Sequence, residues 1–172
     1  EDEKNLEGAI WHMERAFEAQ PSNAAVQEEL RRLYGRRDGV VPPKVRLTRG
    51  ALSRMYYKGN LFNQAIGELR AALSEDPHRI DLQVLLAQAY YANGQFTEAV
   101  ETCYAVIKKL PYCLGANRIL AAILTDTDQA LKAKEYQQRL ISLDPYYAST
   151  SPKAASSDEV PEKAVVIEKL EY

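Results

Sequence analysis

The sequence predicts an all-α protein built by stacking helix pairs, and three observations carry that expectation. Pro77, Pro111 and Pro145 stand 34 residues apart. Between them, apolar residues recur at spacings of three and four, which is the period of one helix face. No stretch sustains alternation of apolar and polar residues, so no sheet is expected. The chain has 172 residues, 46% hydrophobic and 27% charged, with a net charge of −2. That is enough chain to bury a core, and an ordinary balance for a globular protein.

The recurrence extends well beyond the prolines. Twelve residues before each one is an alanine, Ala65, Ala99 or Ala133, and five before each is an apolar residue, Ala72, Val106 or Leu140. Further upstream the pairs Leu52/Tyr56, Leu86/Tyr90 and Leu120/Leu124 keep the same register, each leucine followed by a small residue, Ser53, Ala87 or Ala121. Small residues are needed where two helix axes approach to about 8–10 Å. A leucine at Ala99 would overpack such a contact.

Taken in order, residues 3–19 read as a second helix of a pair, because Ala9, Met13, Ala16 and Pro21 repeat its pattern. A helix over 23–37 follows, capped by Ser22 or Asn23 and striped by Val26, Leu30, Leu33 and Tyr34. Arg31 occupies the place of the small residue, so this helix is not expected to pair as a regular repeat. Pro21 and Pro77 are 56 residues apart, 22 more than one period. The surplus contains residues 35–44, where Gly35, Gly39, Pro42 and Pro43 predict a loop longer than the usual helix connection. Long loops on rigid scaffolds often carry function.

Three helix pairs then follow. The first runs from Leu52 to Leu73 around a turn at Lys58-Gly59-Asn60. The second places Leu82, Leu85, Leu86, Ala89 and Tyr90 on one face, turns at Asn93-Gly94-Gln95, and continues through Phe96, Ala99, Val100, Cys103, Val106, Ile107 and Leu110 to Pro111. Gly94 suits a left-handed helix end, and proline stops the preceding helix. The third spans Ile119 to Ile141 around 126–128. Residues 148–160 are linker-like. Residues 161–172 turn partly apolar (Val165, Val166, Ile167, Leu170) and are expected to dock on the helical array or enter a neighbouring molecule's groove.

These motifs, in the copies 46–79, 80–113 and 114–147, resemble the tetratricopeptide-repeat family: the 34-residue unit, the leucine-small pair, the tyrosine, the later alanine and the closing proline. The resemblance implies a right-handed α-solenoid of three full repeats plus an irregular N-terminal helix pair. It divides the chain into 1–45, 46–147 and 148–172. Departures are Arg49, Gln83 and Asn117 in place of the family's tryptophan, Gln137 at an apolar position, and no glycine in the third turn. The resemblance also implies a non-enzymatic scaffold or adaptor whose first helices line a concave groove for a protein or peptide. Inward positions then include Leu47, Gly50, Arg54, Tyr57 and Lys58; Asp81, Val84, Gln88, Tyr91 and Ala92; and Gly115, Arg118, Ala122, Thr125 and Asp126. Of these Arg54, Tyr57, Lys58, Gln88, Tyr91 and Arg118 are the candidate ligand contacts, with the cations suited to an acidic partner. The family's clamp for chaperone C-terminal carboxylates is not carried over, because Gly50, Leu85, Gly115 and Ile119 stand at most of its positions.

No catalytic or metal-ligating constellation is visible, and no cofactor is expected. His12 and His78 are the only histidines, Cys103 and Cys113 are ten apart, and no phosphate-cradling glycine loop, G-x-S-x-G or H-E-x-x-H occurs. Cys103 falls on the buried stripe, leaving Cys113 as the one candidate reactive thiol. Two cysteines cannot form a secreted-type disulfide framework. No apolar run reaches the roughly 20 residues that span a bilayer. The start, Glu1-Asp2-Glu3-Lys4, shows neither initiator Met nor leader, so the chain reads as a fragment with a cytoplasmic location expected.

Charge is distributed unevenly. Arg31, Arg32, Arg36, Arg37, Lys44, Arg46, Arg49, Arg54 and Lys58 face one acid, Asp38, giving +8 over 31–58 and leaving −10 for the remainder. Such a field attracts anionic partners. An acidic peptide and nucleic acid are both compatible with it, as is neutralisation by acids within the fold. Self-association through the 161–172 tail is a further reading.

Overall fold

The computed structural model describes residues 2–125 and 127–144. Among them are eight α-helices and no strand. The described residues fall into two compact units, divided after Gly94. The first contains α1 (Asp2–Ala19), α2 (Ala24–Asp38), α3 (Arg49–Lys58), α4 (Phe62–Glu75) and α5 (Ile80–Ala92). The second contains α6 (Phe96–Lys109), α7 (Leu114–Leu124) and α8 (Ala130–Leu143). In the first unit α3 packs on α4, α4 on α5, and α1 on both α2 and α3; in the second α6 packs on α7 and α7 on α8. Within each unit, helices thus pack on near neighbours as expected of a helical repeat. Asp126, the last residues of the third repeat, the linker and the tail lie outside the described residues.

The small residues sit where the pairing needs them. Ala65, Ala99 and Ala133 are at most 1% exposed, and Ser53, Ala87 and Ala121 are equally buried. Ser53 satisfies its own hydroxyl by donating to the Gly50 carbonyl oxygen at 2.9 Å. The first two turns share one backbone solution: Gly94 has φ 77° and Asn60, one period earlier, has φ 58°. Asparagine is among the few non-glycine residues that enter this left-handed region readily. The third turn manages without glycine. Thr127 donates its hydroxyl to the Leu124 carbonyl oxygen at 2.9 Å, and Gln137 of α8 reaches Thr125 Oγ1 at 3.1 Å. The polar residue at an apolar position is therefore a clamp between α8 and the end of α7.

At the N-terminal end α1 turns a different stripe inward from the one its repeat-like pattern suggests. Ile10 and Phe17 are buried, with Leu6 and Met13 beside them, against Leu30 and Leu33 of α2 and Ala51 of α3. Ala9 and Ala16, which match the buried alanine and apolar positions of the later second helices, are exposed. Packing onto α2 and α3 rotates the contact face by one residue.

Residues 35–37, read both as the end of the 23–37 helix and as the start of the loop, belong with Asp38 to α2, which ends at Gly39 with φ 76° and its N–H on the Gly35 carbonyl oxygen at 3.0 Å. The connection then folds back on the helix. Val41 lies so close to Gly35 that a β-carbon there would meet its Cγ2 at 2.6 Å. Arg31 Nε donates to the Pro42 carbonyl oxygen at 2.8 Å, and Val45 packs into the α1–α2 core. The arginine that displaces a small residue thus anchors the insertion.

One buried carboxylate joins three elements. Glu18 of α1 is 2% exposed. It accepts from Arg15 Nη2 at 3.0 Å, from the Thr48 hydroxyl at 2.8 Å and from Arg79 Nη2 at 2.6 Å. Thr48 caps α3, its Oγ1 accepting from the Ala51 N–H at 3.1 Å. Gly50 leaves room for the carboxylate, since a β-carbon there would stand 2.6 Å from Glu18 Cδ.

Three substitutions test this packing by urea unfolding. Glu18→Ala removes the acceptor shared by Arg15, Thr48 and Arg79, leaves the 10%-exposed Arg79 on Asp81 alone, and is expected to cost about 1–3 kcal/mol. Gly50→Ala and Ala65→Leu each overpack a closed contact and are expected to cost about 1–3 kcal/mol. A midpoint at the wild-type value for Glu18→Ala would mean the carboxylate holds nothing together.

Candidate functional site

Five of the six predicted groove residues lie on α3 and α5. Arg54, Tyr57 and Lys58 lie in the last two turns of α3, and Gln88 and Tyr91 lie in α5. Arg54 Nη2 donates to Asp81 Oδ2 at 3.1 Å, tying the two helices together. Asp81 also receives Arg79 Nε at 2.8 Å and Nη2 at 2.7 Å. Burial pushes the Asp81 carboxyl up, but the hydrogen bonds and charge of Arg79, with the charge of Arg54, outweigh it and hold it below its usual range. Tyr57 is half-buried, its ring 5.7 Å from that of Phe62, and burial raises its hydroxyl pKa. Part of Tyr57 therefore serves intramolecular packing. Gln88 and Tyr91 are partly exposed, and Lys58 is exposed. Arg118, the sixth, belongs to the second unit, where its Nη2 lies 3.5 Å from Asp144 Oδ2 with both side chains largely buried.

Beside the end of α3 is a cavity of about 410 Å³, lined by Pro21, Ser22, Leu47, Arg54, Met55 and Lys58. Leu47 and Met55 are each 48% exposed and both line this cavity. Three of the inward positions, Leu47, Arg54 and Lys58, meet here. The result is an apolar floor with cations at its rim, suited to an aliphatic side chain with a carboxylate nearby.

The basic stretch is answered largely from within the fold. Arg31 pairs with Glu28 at 2.8 Å, Arg32 with Glu29 at 2.7 Å, and Arg37 with Asp38 at 2.7 Å. Arg49 reaches Glu68 and Glu75, each at 3.0 Å. With Arg54 held by Asp81, Arg36, Lys44, Arg46 and Lys58 remain without an ion-pair partner among the described residues. Lys44 and Arg46 share a cavity beside the insertion. Sequence reasoning missed the Glu18–Arg79 contact altogether, because its partners are 61 residues apart and no repeat position marks them.

A tetratricopeptide-repeat family model matches residues 59–111. No protein with a curated function matches the chain. Repeats of this family mediate protein–protein interaction and are typically non-enzymatic. No helix of the described residues is long and apolar enough to cross a membrane.

The reactive-group inventory is short. His12 stands edge-on to the Trp11 ring at 4.9 Å, and the His78 N–H donates to Asp76 Oδ1 at 3.0 Å. Cys103 is fully buried on α6, and burial, with a smaller contribution from Cys113, pushes its thiol up to about 12. Cys113 is partly exposed at the start of α7. A disulfide-exchange reagent at pH 8 is expected to label one thiol in the native chain and two in denaturant. The unfolded thiol ionises near 9 while the folded one stays protonated, so Cys103 favours the folded state less as pH climbs from 9 towards 12. Two thiols reacting at equal rates in native buffer would contradict the burial of Cys103.

Proposed function

We propose that this tetratricopeptide-repeat protein is a non-enzymatic adaptor that seats an extended or helical protein segment on the α3–α5 face. The observation that carries the reading is the apolar cavity at the end of α3, with Leu47 and Met55 half-exposed and Arg54 and Lys58 at its edge. An aliphatic anchor entering it removes apolar surface from water, and an adjacent carboxylate meets Lys58 and Arg54. Tyr57, Gln88 and Tyr91 extend the same face with flat amphipathic groups. Arg118 is proposed as a further carboxylate contact on the second unit. A face built on packed helices holds its shape before the ligand arrives, which limits the ordering cost to the ligand.

Nucleic acid is the weaker reading. Binding a polyanion draws on a track of cations that exchange counterions for phosphates, and five of the nine basic side chains are already paired with carboxylates.

Affinity capture with the full chain, followed by titration calorimetry of the captured segment, tests the proposal. Lys58→Glu and Leu47→Asp are each expected to weaken binding at least tenfold, with unfolding midpoints unchanged. A segment bound equally well by both variants would move the contact off this face.

A further inference from the structure

The insertion between α2 and α3 presents a second surface, which the groove reading does not use. Its backbone is pinned at three points: Gly39 caps α2, Val41 lies on Gly35, and the Pro42 carbonyl oxygen takes Arg31 Nε. Val45 is then held in the α1–α2 core. Its neighbours Lys44 and Arg46 are exposed, and together they line a cavity of about 380 Å³ with Tyr34, Arg37, Val40 and Pro42.

The charges of this cavity do not cancel. Asp38 is its one acid, and it is taken by Arg37, whose Nε and Nη2 donate to the two carboxylate oxygens at 2.7 and 2.9 Å. Arg37 also lies over the Tyr34 ring at 5.0 Å, which keeps that pair to one side. Lys44 and Arg46 are left with no acidic partner among the described residues. The cavity therefore holds two uncompensated cations, flanked by an aromatic ring and two small apolar side chains.

We propose that this cavity receives a phosphate monoester, carried by a phosphorylated serine or threonine of a partner protein segment. A phosphoserine brings a charge of about −1.5 to −2 and three acceptor oxygens, which answer one lysine and one arginine. Val40, Pro42 and the Tyr34 ring supply a wall for the carbon chain that bears it. Nucleic acid fits less well, because most of the basic run is answered within the fold: Arg31, Arg32 and Arg49 are paired with Glu28, Glu29, Glu68 and Glu75, which leaves Arg36 and Lys58 as the run's other cations without an ion-pair partner among the described residues. The proposal borrows from the adaptor reading only its choice of carrier. Its site shares no residue with the α3 cavity, so the two fail separately.

The test is a titration of the isotope-labelled full chain, followed by amide shifts, with N-acetyl-O-phosphoserine methylamide as the probe. Parallel arms use the unphosphorylated compound, sulfate at equal ionic strength, and a single-stranded oligonucleotide. The phosphorylated probe is expected to give saturable shifts over residues 39–47. Binding tightens from pH 5.5 to 7.5, as the phosphate loses its second proton near a pKa of about 6. Lys44→Ala/Arg46→Ala is expected to weaken it at least tenfold with an unchanged unfolding midpoint, since both side chains are exposed. Lys58→Glu is expected to leave it intact. Shifts matched by sulfate, shifts that survive the double variant, no saturable response, or tighter oligonucleotide binding through the same residues would each overturn the proposal.

Discussion

The register of the first unit depends on a carboxylate that has left water. Glu18 is 2% exposed, and a bare carboxylate in that state would be costly. It is tolerated because Arg15, Thr48 and Arg79 all donate to it and because Gly50 presents no side chain. Those donors come from α1, from the cap of α3 and from the residue before α5. The chain crosses a ten-residue connection between α2 and α3, over which no helical geometry fixes where α3 must begin. The Glu18–Thr48 hydrogen bond and the Gly50 contact set that start, and Arg79 ties the next repeat to it. A buried ion pair need not stabilise more than an apolar contact of equal volume. Its role here is to specify one arrangement of α1, α3 and α5.

The same economy of charge shapes the surface. A run with local charge +8 looks in the sequence like a field for a polyanion. Helical spacing places Glu28 three residues before Arg31, and Glu29 three before Arg32, so both arginines are answered on their own helix. Arg49 and Arg54 are answered across helices by Glu68, Glu75 and Asp81. The insertion, whose backbone follows no helical period, has no acid three or four residues away on the same face. Its lysine and arginine have no ion-pair partner among the described residues, and the phosphate proposal draws on that.

The repeat was legible because its signal is periodic. The alanines, leucines and prolines recur at a fixed spacing: Ala65, Ala99 and Ala133 are buried, and Pro77 and Pro111 stand just past the helices they close. What escaped has no period or was attributed to something else. Gln83 and Asn117 look like replacements for a family tryptophan, yet each follows a proline by six residues, and each donates its side-chain amide to that proline's carbonyl oxygen, at 2.8 and 3.0 Å. Gln27 does the same to Pro21 at 2.6 Å. Proline closes a helix, and six residues later an amide satisfies the carbonyl left at that turn. The spacing was visible, but only a hydrogen bond gives it meaning. The exposed Ala9 and Ala16 show the opposite error: a correct pattern on α1 whose contact face is decided by which helices pack on it. Among the candidate site residues, the sequence placed Leu47, Arg54 and Lys58 on one face. It did not show that Asp81 would already hold Arg54.

That last pairing bears on how the α3–α5 face would take the ligand proposed for it. Asp81 is shared between two arginines of different standing. Arg79 is 10% exposed by side chain, holds Asp81 through two donors and also holds Glu18. Arg54 is 26% exposed and holds Asp81 through one donor at 3.1 Å. An ion pair open to water contributes little, since solvent and salt screen it and two flexible side chains are ordered to make it. Arg54 can exchange Asp81 for a ligand carboxylate with little net loss, while Arg79 keeps Asp81 neutralised and in place. In the proposed binding mode, the acid that occupies the site is part of its preparation. In that mode it holds Arg54 at the edge of the apolar cavity in the free protein, and Arg79 would keep it compensated if Arg54 turned to a partner.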